Sequence, residues 1–135
     1  LIHPRVLSLF VFLGGLVVLV IAAWLTPDPR GFGTHEGLGL PSCGFLAVNG
    51  YPCMTCGMTT AFANMIRLDV AAAWRANPMG IVLFILTGMT TVFAARCLYD
   101  GSDPLRPLRH RTAPFWVIGL SVALLGNWAL LIRGS

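Results

Sequence analysis

Charge is what this chain has least of. Only 10% of its 135 residues are Asp, Glu, Lys or Arg, against about 25% in ordinary soluble domains. Lysine is absent, so every positive charge behind the formal net +4 belongs to arginine. So few charges cannot cover a water-facing surface. With 56% hydrophobic residues and a mean hydropathy of +0.79, the chain has lipid as part of its solvent. The arginines stand at segment ends rather than on one polar face, and no DNA- or RNA-reading motif is present, so nucleic acid is excluded as a partner. Also missing are paired carboxylates, a glycine-rich phosphate loop, a Ser-His-Asp signature and an H-E-x-x-H motif; His35-Glu36 lacks the second histidine a zinc protease needs. The pattern therefore identifies no small-molecule substrate and leans away from an enzyme. Length allows one domain, and the opening Leu1 fits a fragment, a processed product or a non-standard start codon.

What is present in quantity is long apolar runs. Residues 6–25 hold no charge and at 1.5 Å per residue cover a hydrocarbon core of about 30 Å. A signal peptide is the competing reading, but its apolar region is about 7–15 residues, which favours a retained anchor. Pro27 and Pro29 stop this helix beyond an interfacial Trp24. A second span, 78–96, opens on Asn77-Pro78, a helix cap followed by a proline at the first helical position, and is closed by Arg96. A third, 114–132, starts at Pro114 and carries a small-residue face of Gly119, Ala123 and Gly126, which suits close helix contact. Asn127 is a strongly polar residue inside a span, and its usual task is a hydrogen bond to a neighbouring helix. Thr87, Thr90 and Thr91 can bond their own helix.

Arg96, Arg106, Arg109 and Arg111, beside His110, crowd the connection between spans two and three. The connection between spans one and two is more than twice as long and holds Arg30, Arg67 and Arg75. The positive-inside rule then puts the second connection and the N-terminus, with Arg5, in the cytoplasm and the first connection on the outer side.

That outer segment is too long for an idle connection. Its first part, 26–57, reads as a loop rich in Cys and His. The next, 57–67, reads as a helix, with Met58, Ala61, Phe62, Met65 and Ile66 on one stripe and Thr59, Thr60, Ala63, Asn64 and Arg67 opposite. Asp69 caps a second short helix, 70–76, bearing Trp74 and Arg75. Two placements stand open for this pair: along the membrane surface, or packed as a hairpin over the spans. The expected architecture is thus an all-α membrane protein with three transmembrane helices and one or two short amphipathic helices after a Cys-rich outer loop.

Three of the four cysteines fall in the outer segment. Cys53 and Cys56 form a C-x-x-C pair, Cys43 lies ten residues upstream, and His35 eight before that. Four chemistries fit in different degrees. A tetrahedral site of His35, Cys43, Cys53 and Cys56 is most naturally zinc. A disulfide from Cys43 to Cys53 or Cys56 would staple a loop in an oxidising compartment, but leaves one cysteine over. A redox dithiol would use Cys53, whose thiol sits near N-terminal helix amides that lower its pKa. For an iron–sulfur or haem site the ligand set is incomplete or misspaced. Cys97 stands apart near Arg96 as a small membrane-helix residue, and His3 and His110 are lone flanking residues.

Cys53-Met54-Thr55-Cys56-Gly57-Met58-Thr59-Thr60-Ala61, then Asp69, Ala73 and Asn77-Pro78, resembles a family of small bacterial membrane proteins known as domain of unknown function 2752. Its pattern is C-P-x-C-G-x-T-R-A, then a G-D pair, then N-P at a membrane helix. Met54 stands where that pattern has proline and Thr60 where it has arginine; Arg67, on the same helix, is the available substitute. The resemblance implies a multi-pass protein of the bacterial inner membrane and supplies no reaction. The leading reading is a zinc-organised subunit or interaction protein, meeting the bilayer and other membrane proteins. An envelope thiol–disulfide oxidoreductase using Cys53 and Cys56 is the alternative, and transport is weaker for want of buried polar groups.

Overall fold

The computed structural model describes residues 3–104 and 113–133; Arg106, Arg109, His110 and Arg111 lie outside them. All regular structure among the described residues is helical. Three long helices carry the fold: α1 (Pro4–Trp24), α5 (Pro78–Asp100) and α6 (Ala113–Arg133), each long and apolar enough to cross a membrane. Between α1 and α5 the chain forms a 3-10 turn (Thr34–Leu38) and three short helices, α2 (Gly44–Asn49), α3 (Met58–Ile66) and α4 (Val70–Ala76).

The ends of the long helices follow from local chemistry. His3 caps α1 and Pro4 occupies its first position. Asn77 caps α5, accepting from the backbone N–H groups of Met79 and Gly80 at 3.0 and 3.3 Å. Arg96 does not end α5 as the sequence suggests; the helix continues to Asp100, where Gly101 supplies the left-handed residue (φ 71°) that closes it. Arginine is a good helix former, so charge alone did not mark the end.

α1 and α5 run antiparallel, since Arg5 at the start of α1 lies against Gly101 at the end of α5. Small residues let them approach. Gly15 abuts Thr91 so closely that a Cβ there would strike its hydroxyl, and Ser8, Ala22, Ala94 and Cys97 are buried along the two helices. In lipid this close backbone contact, rather than apolar burial, draws helices together. Thr87, Thr90 and Thr91 return their hydroxyls to carbonyls of their own helix at 2.7, 2.8 and 2.7 Å. α6 is tied on differently, by polar groups near its C-terminal end. Asn127 Oδ1 accepts from the Met79 N–H at 3.1 Å, and Trp128 Nε1 donates to the Pro52 carbonyl at 3.1 Å. The Gly119–Gly126 face expected to make close contact meets nothing within 4 Å at either glycine among the described residues.

The segment between α1 and α5 is a packed layer at the end of the bundle where α1 finishes and α5 begins. α3 sits in its centre, touching α1, α4 and α5. The short helices are thus packed against the long ones, and the burial of α3 does not follow its apolar stripe alone. Thr60, Ala63 and Asn64 are buried with Ala61, while Met58, Phe62, Met65 and Ile66 are only half-buried. Small side chains are the most buried where α3 meets its neighbours, while from the apolar stripe Met65 packs against Ala61, Ala73 and Ala76 and Phe62 stands edge-on to Phe84 of α5. Asp69 caps α4 as its position predicts, accepting from the Ala72 N–H at 2.9 Å.

Between α3 and α4 the chain turns through Leu68 at φ 63°, a left-handed backbone held by a residue 86% exposed. Leu68 precedes Asp69, where the resembled pattern has glycine. A left-handed non-glycine residue costs about 1–2 kcal/mol, and glycine returns part of that gain as unfolded-chain entropy. Leu68→Gly is therefore expected to stabilise the protein by about 0.5–1 kcal/mol. Thermal unfolding in detergent reads this; a lowered midpoint would contradict the argument.

Candidate metal centre

The site is built on the start of α5. Asn77 is fully buried, and besides capping α5 with its oxygen it donates through Nδ2 to the Cys56 carbonyl at 2.9 Å. One amide thereby joins the C-x-x-C turn to a membrane-spanning helix. The turn closes on itself: the Cys56 N–H donates to the Cys53 carbonyl and the Met58 N–H to that of Thr55, both at 3.1 Å. Gly57 then launches α3 from a left-handed conformation (φ 78°). Trp128 of α6 holds Pro52, so the pair is braced from α5 and α6.

Three sulfurs meet there. Cys53 Sγ lies 3.3 Å from Cys56 Sγ and 3.5 Å from Cys43 Sγ, and all three sulfurs fall within 4.8 Å of one another. Two thiolates on one tetrahedral ion with bonds of about 2.3 Å stand about 3.8 Å apart. The cluster is therefore compact enough to hold a metal ion with small side-chain rotations. Cys56 is buried, and Cys43 and Cys53 are half-buried at the edge of a cavity of about 360 Å³. Phe32, Leu46 and Met58 supply apolar wall; Thr55, Thr59 and Thr60 supply hydroxyl-bearing wall.

The thiols are unequal. Burial pushes Cys53 up, but hydrogen bonds from the Thr55 hydroxyl, the Cys56 thiol, the Thr55 backbone and the Cys43 thiol outweigh it and leave its pKa at about 7. Cys56 is driven to about 12, by burial first and then by its hydrogen bond to Cys53. The pair thus gives up one proton near neutrality and retains the second, which makes Cys53 the sulfur ready to ligate or to attack.

His35 lines the same cavity but stands outside the group of three sulfurs. The Cys₃His shell read from spacing is here three sulfurs with an imidazole on the wall. The 3-10 turn carrying His35 is fixed by Arg30, whose guanidinium reaches Asp28 at 2.7 Å and Glu36 at 3.1 Å. Thr34, in the same turn, shares a buried 2.7 Å hydrogen bond with Thr60 and accepts from the Asp28 N–H at 2.9 Å. Thr60, where the resembled pattern has arginine, is therefore a buried hydroxyl that locks this turn to α3. Thr59 lines the cavity beside it. Arg67, the available substitute for that arginine, stands at the C-terminal end of α3. It donates to the carbonyls of Ala63 at 2.7 Å and Ala23 at 3.2 Å, tying α3 to the end of α1 away from the sulfurs. Cys97 is buried within α5, outside the cluster.

Residues that the spacing did not disclose are Thr34, Trp128 and the second role of Asn77. The N-P step showed the cap; nothing local shows that the same amide reaches Cys56. That second role is testable because aspartate caps a helix as well as asparagine does. In Asn77→Asp the cap acceptor survives, but a carboxylate oxygen faces the Cys56 carbonyl in a buried space. A loss of about 2 kcal/mol is expected in thermal or denaturant unfolding. Unchanged stability would reduce Asn77 to a simple cap.

No curated protein and no solved structure matches the chain. Over residues 43–91, from the first clustered cysteine into α5, the chain matches the model of the family described as Protein of unknown function (DUF2752).

Proposed function

We propose that Cys43, Cys53 and Cys56 bind one zinc ion, and that the ion organises the layer through which this small membrane subunit meets other membrane proteins. The observation that carries the reading is the convergence of three sulfurs from separate points of the chain within 4.8 Å. A single dithiol needs two. Thiolate-rich, redox-inert sites suit zinc, and the braced C-x-x-C turn is a preorganised half-site. Arginine placement supports the layer facing the outer side of a bacterial inner membrane, with the N-terminus in the cytoplasm. Purified without chelator under reducing conditions, the protein is expected to carry one zinc per chain with its clustered thiols protected from modification. Absence of metal under those conditions sinks the proposal.

The unequal thiols favour one further reading, thiol–disulfide exchange. There the Cys53 thiolate would attack an incoming disulfide and Cys56 would resolve the mixed disulfide. The two thiols then lose two electrons and two protons in all, and the incoming disulfide leaves as two thiols. In chelator-stripped, reduced protein, alkylation of Cys53 is expected to reach half its maximal rate near pH 7, whereas an ordinary cysteine does so near about 8.5. A half-point at the ordinary value removes the basis of this reading. Recovery of an exchangeable Cys53–Cys56 disulfide from cells, without zinc, would favour it over the metal.

A further inference from the structure

The zinc reading leaves open what stands at the fourth coordination position, and the inference here rests on that reading. A closed structural zinc site takes all four donors from the protein, whereas sites that act on or exchange ligands keep one position for an outside molecule. Here three sulfurs converge, and no His, Asp or Glu donor among the described residues joins them within 4.8 Å. All three cysteines line the cavity, and the one imidazole there, His35, is set in a separate turn fixed by the Arg30–Asp28 and Arg30–Glu36 ion pairs. At about 360 Å³ the cavity corresponds to roughly a dozen water volumes of about 30 Å³ each. That is far more than a single bound water occupies.

Charge narrows what fits. A divalent ion with three thiolates carries one net negative charge. Arg30 is engaged by two carboxylates, and among the described residues His35 is, apart from the thiols, the only titratable side chain lining the cavity. A fourth anionic ligand would build a second negative charge in a partly buried cavity whose lining, among the described residues, holds no arginine or lysine. A neutral nitrogen or sulfur donor adds no charge, and the Phe32, Leu46 and Met58 wall suits the apolar body of an imidazole or thioether.

We propose that the metal centre is open on its cavity side and takes an exchangeable neutral donor, an imidazole or thioether group, as its fourth ligand. The layer is then a docking point for a metal-coordinating group brought by another molecule.

Cobalt substitution tests this in the full-length protein in detergent. Cobalt bound by three thiolates gives intense sulfur-to-metal charge-transfer bands, and its visible bands report the fourth ligand. Titration with imidazole is expected to shift the visible bands saturably, while azide binds about tenfold or more weakly because of its charge. The same titrations in His35→Ala separate the alternatives. Wild-type protein that is silent to imidazole while His35→Ala responds means His35 closes the shell, which overturns the open site and leaves the metal intact. Silence in both, or equal binding of azide and imidazole, also overturns it. Failure to bind cobalt with charge-transfer intensity overturns the underlying metal reading instead.

Discussion

Replacing Cys53 and Cys56 together by serine is expected to take the protein from one bound zinc per chain to none. Structural zinc in small sites is worth about 10–16 kcal/mol over four ligands, so each thiolate carries roughly 3 kcal/mol, or about two orders of magnitude in affinity. Losing two leaves Cys43 alone, which holds no ion at ordinary concentrations. The single variants should be graded. Cys43→Ser removes a half-buried ligand at the start of α2. Cys56→Ser removes the buried one, whose carbonyl Asn77 holds at 2.9 Å, and should cost at least as much. Cys97→Ser, buried in α5 away from the cluster, should leave metal content unchanged. Elemental analysis with thiol counting reads all four variants. Helical content should survive in the double variant, because α1 and α5 pack through Gly15, Thr91, Ala94 and their neighbours without these sulfurs. Zinc retained by the double variant would place the ion elsewhere and end the case for this centre.

The long helices were legible because lipid imposes a strong rule: a span needs a sustained apolar run, and backbone polar groups must be satisfied inside it. Caps written in adjacent residues were equally legible, as at Asn77-Pro78 and Asp69. The layer over the site was harder. α2 has six residues, too few to show a helical period, and the 3-10 turn has five. α3 showed its period clearly, but which of its side chains are most buried is set by the helices α1, α4 and α5 that pack around it. The cysteines announced themselves by chemistry and spacing. The contacts that aim them, Asn77 to Cys56 across 21 residues and Trp128 to Pro52 across 76, are products of tertiary folding and leave no local mark. His35 shows the limit from the other side: sequence proximity brought it to the cavity wall but not into the sulfur group.

Gly57→Ala is expected to be the most damaging single-methyl change in the layer. Gly57 has φ 78°, and a Cβ there would meet the backbone carbonyl oxygens of both Ala76 and Gly31. Neither obstacle is a flexible side-chain tip. The Ala76 carbonyl immediately precedes Asn77, so moving it displaces the amide that holds Cys56, and moving Gly31 shifts the turn that carries Thr34 and His35. The left-handed backbone alone costs an alanine about 1–2 kcal/mol, and displacing two backbone segments brings the expected loss to about 3–5 kcal/mol. Gly50→Ala separates the two contributions: Gly50 has φ 75°, but a Cβ there meets nothing within 4 Å. Gly50→Ala should therefore show the conformational cost only, about 1–2 kcal/mol, and retain zinc. Unfolding in detergent and metal content, measured on both variants, make the comparison. Equal losses at the two positions would mean that the close approach of Gly57 to α4 contributes nothing. A loss of zinc confined to Gly57→Ala would tie the metal centre directly to that approach.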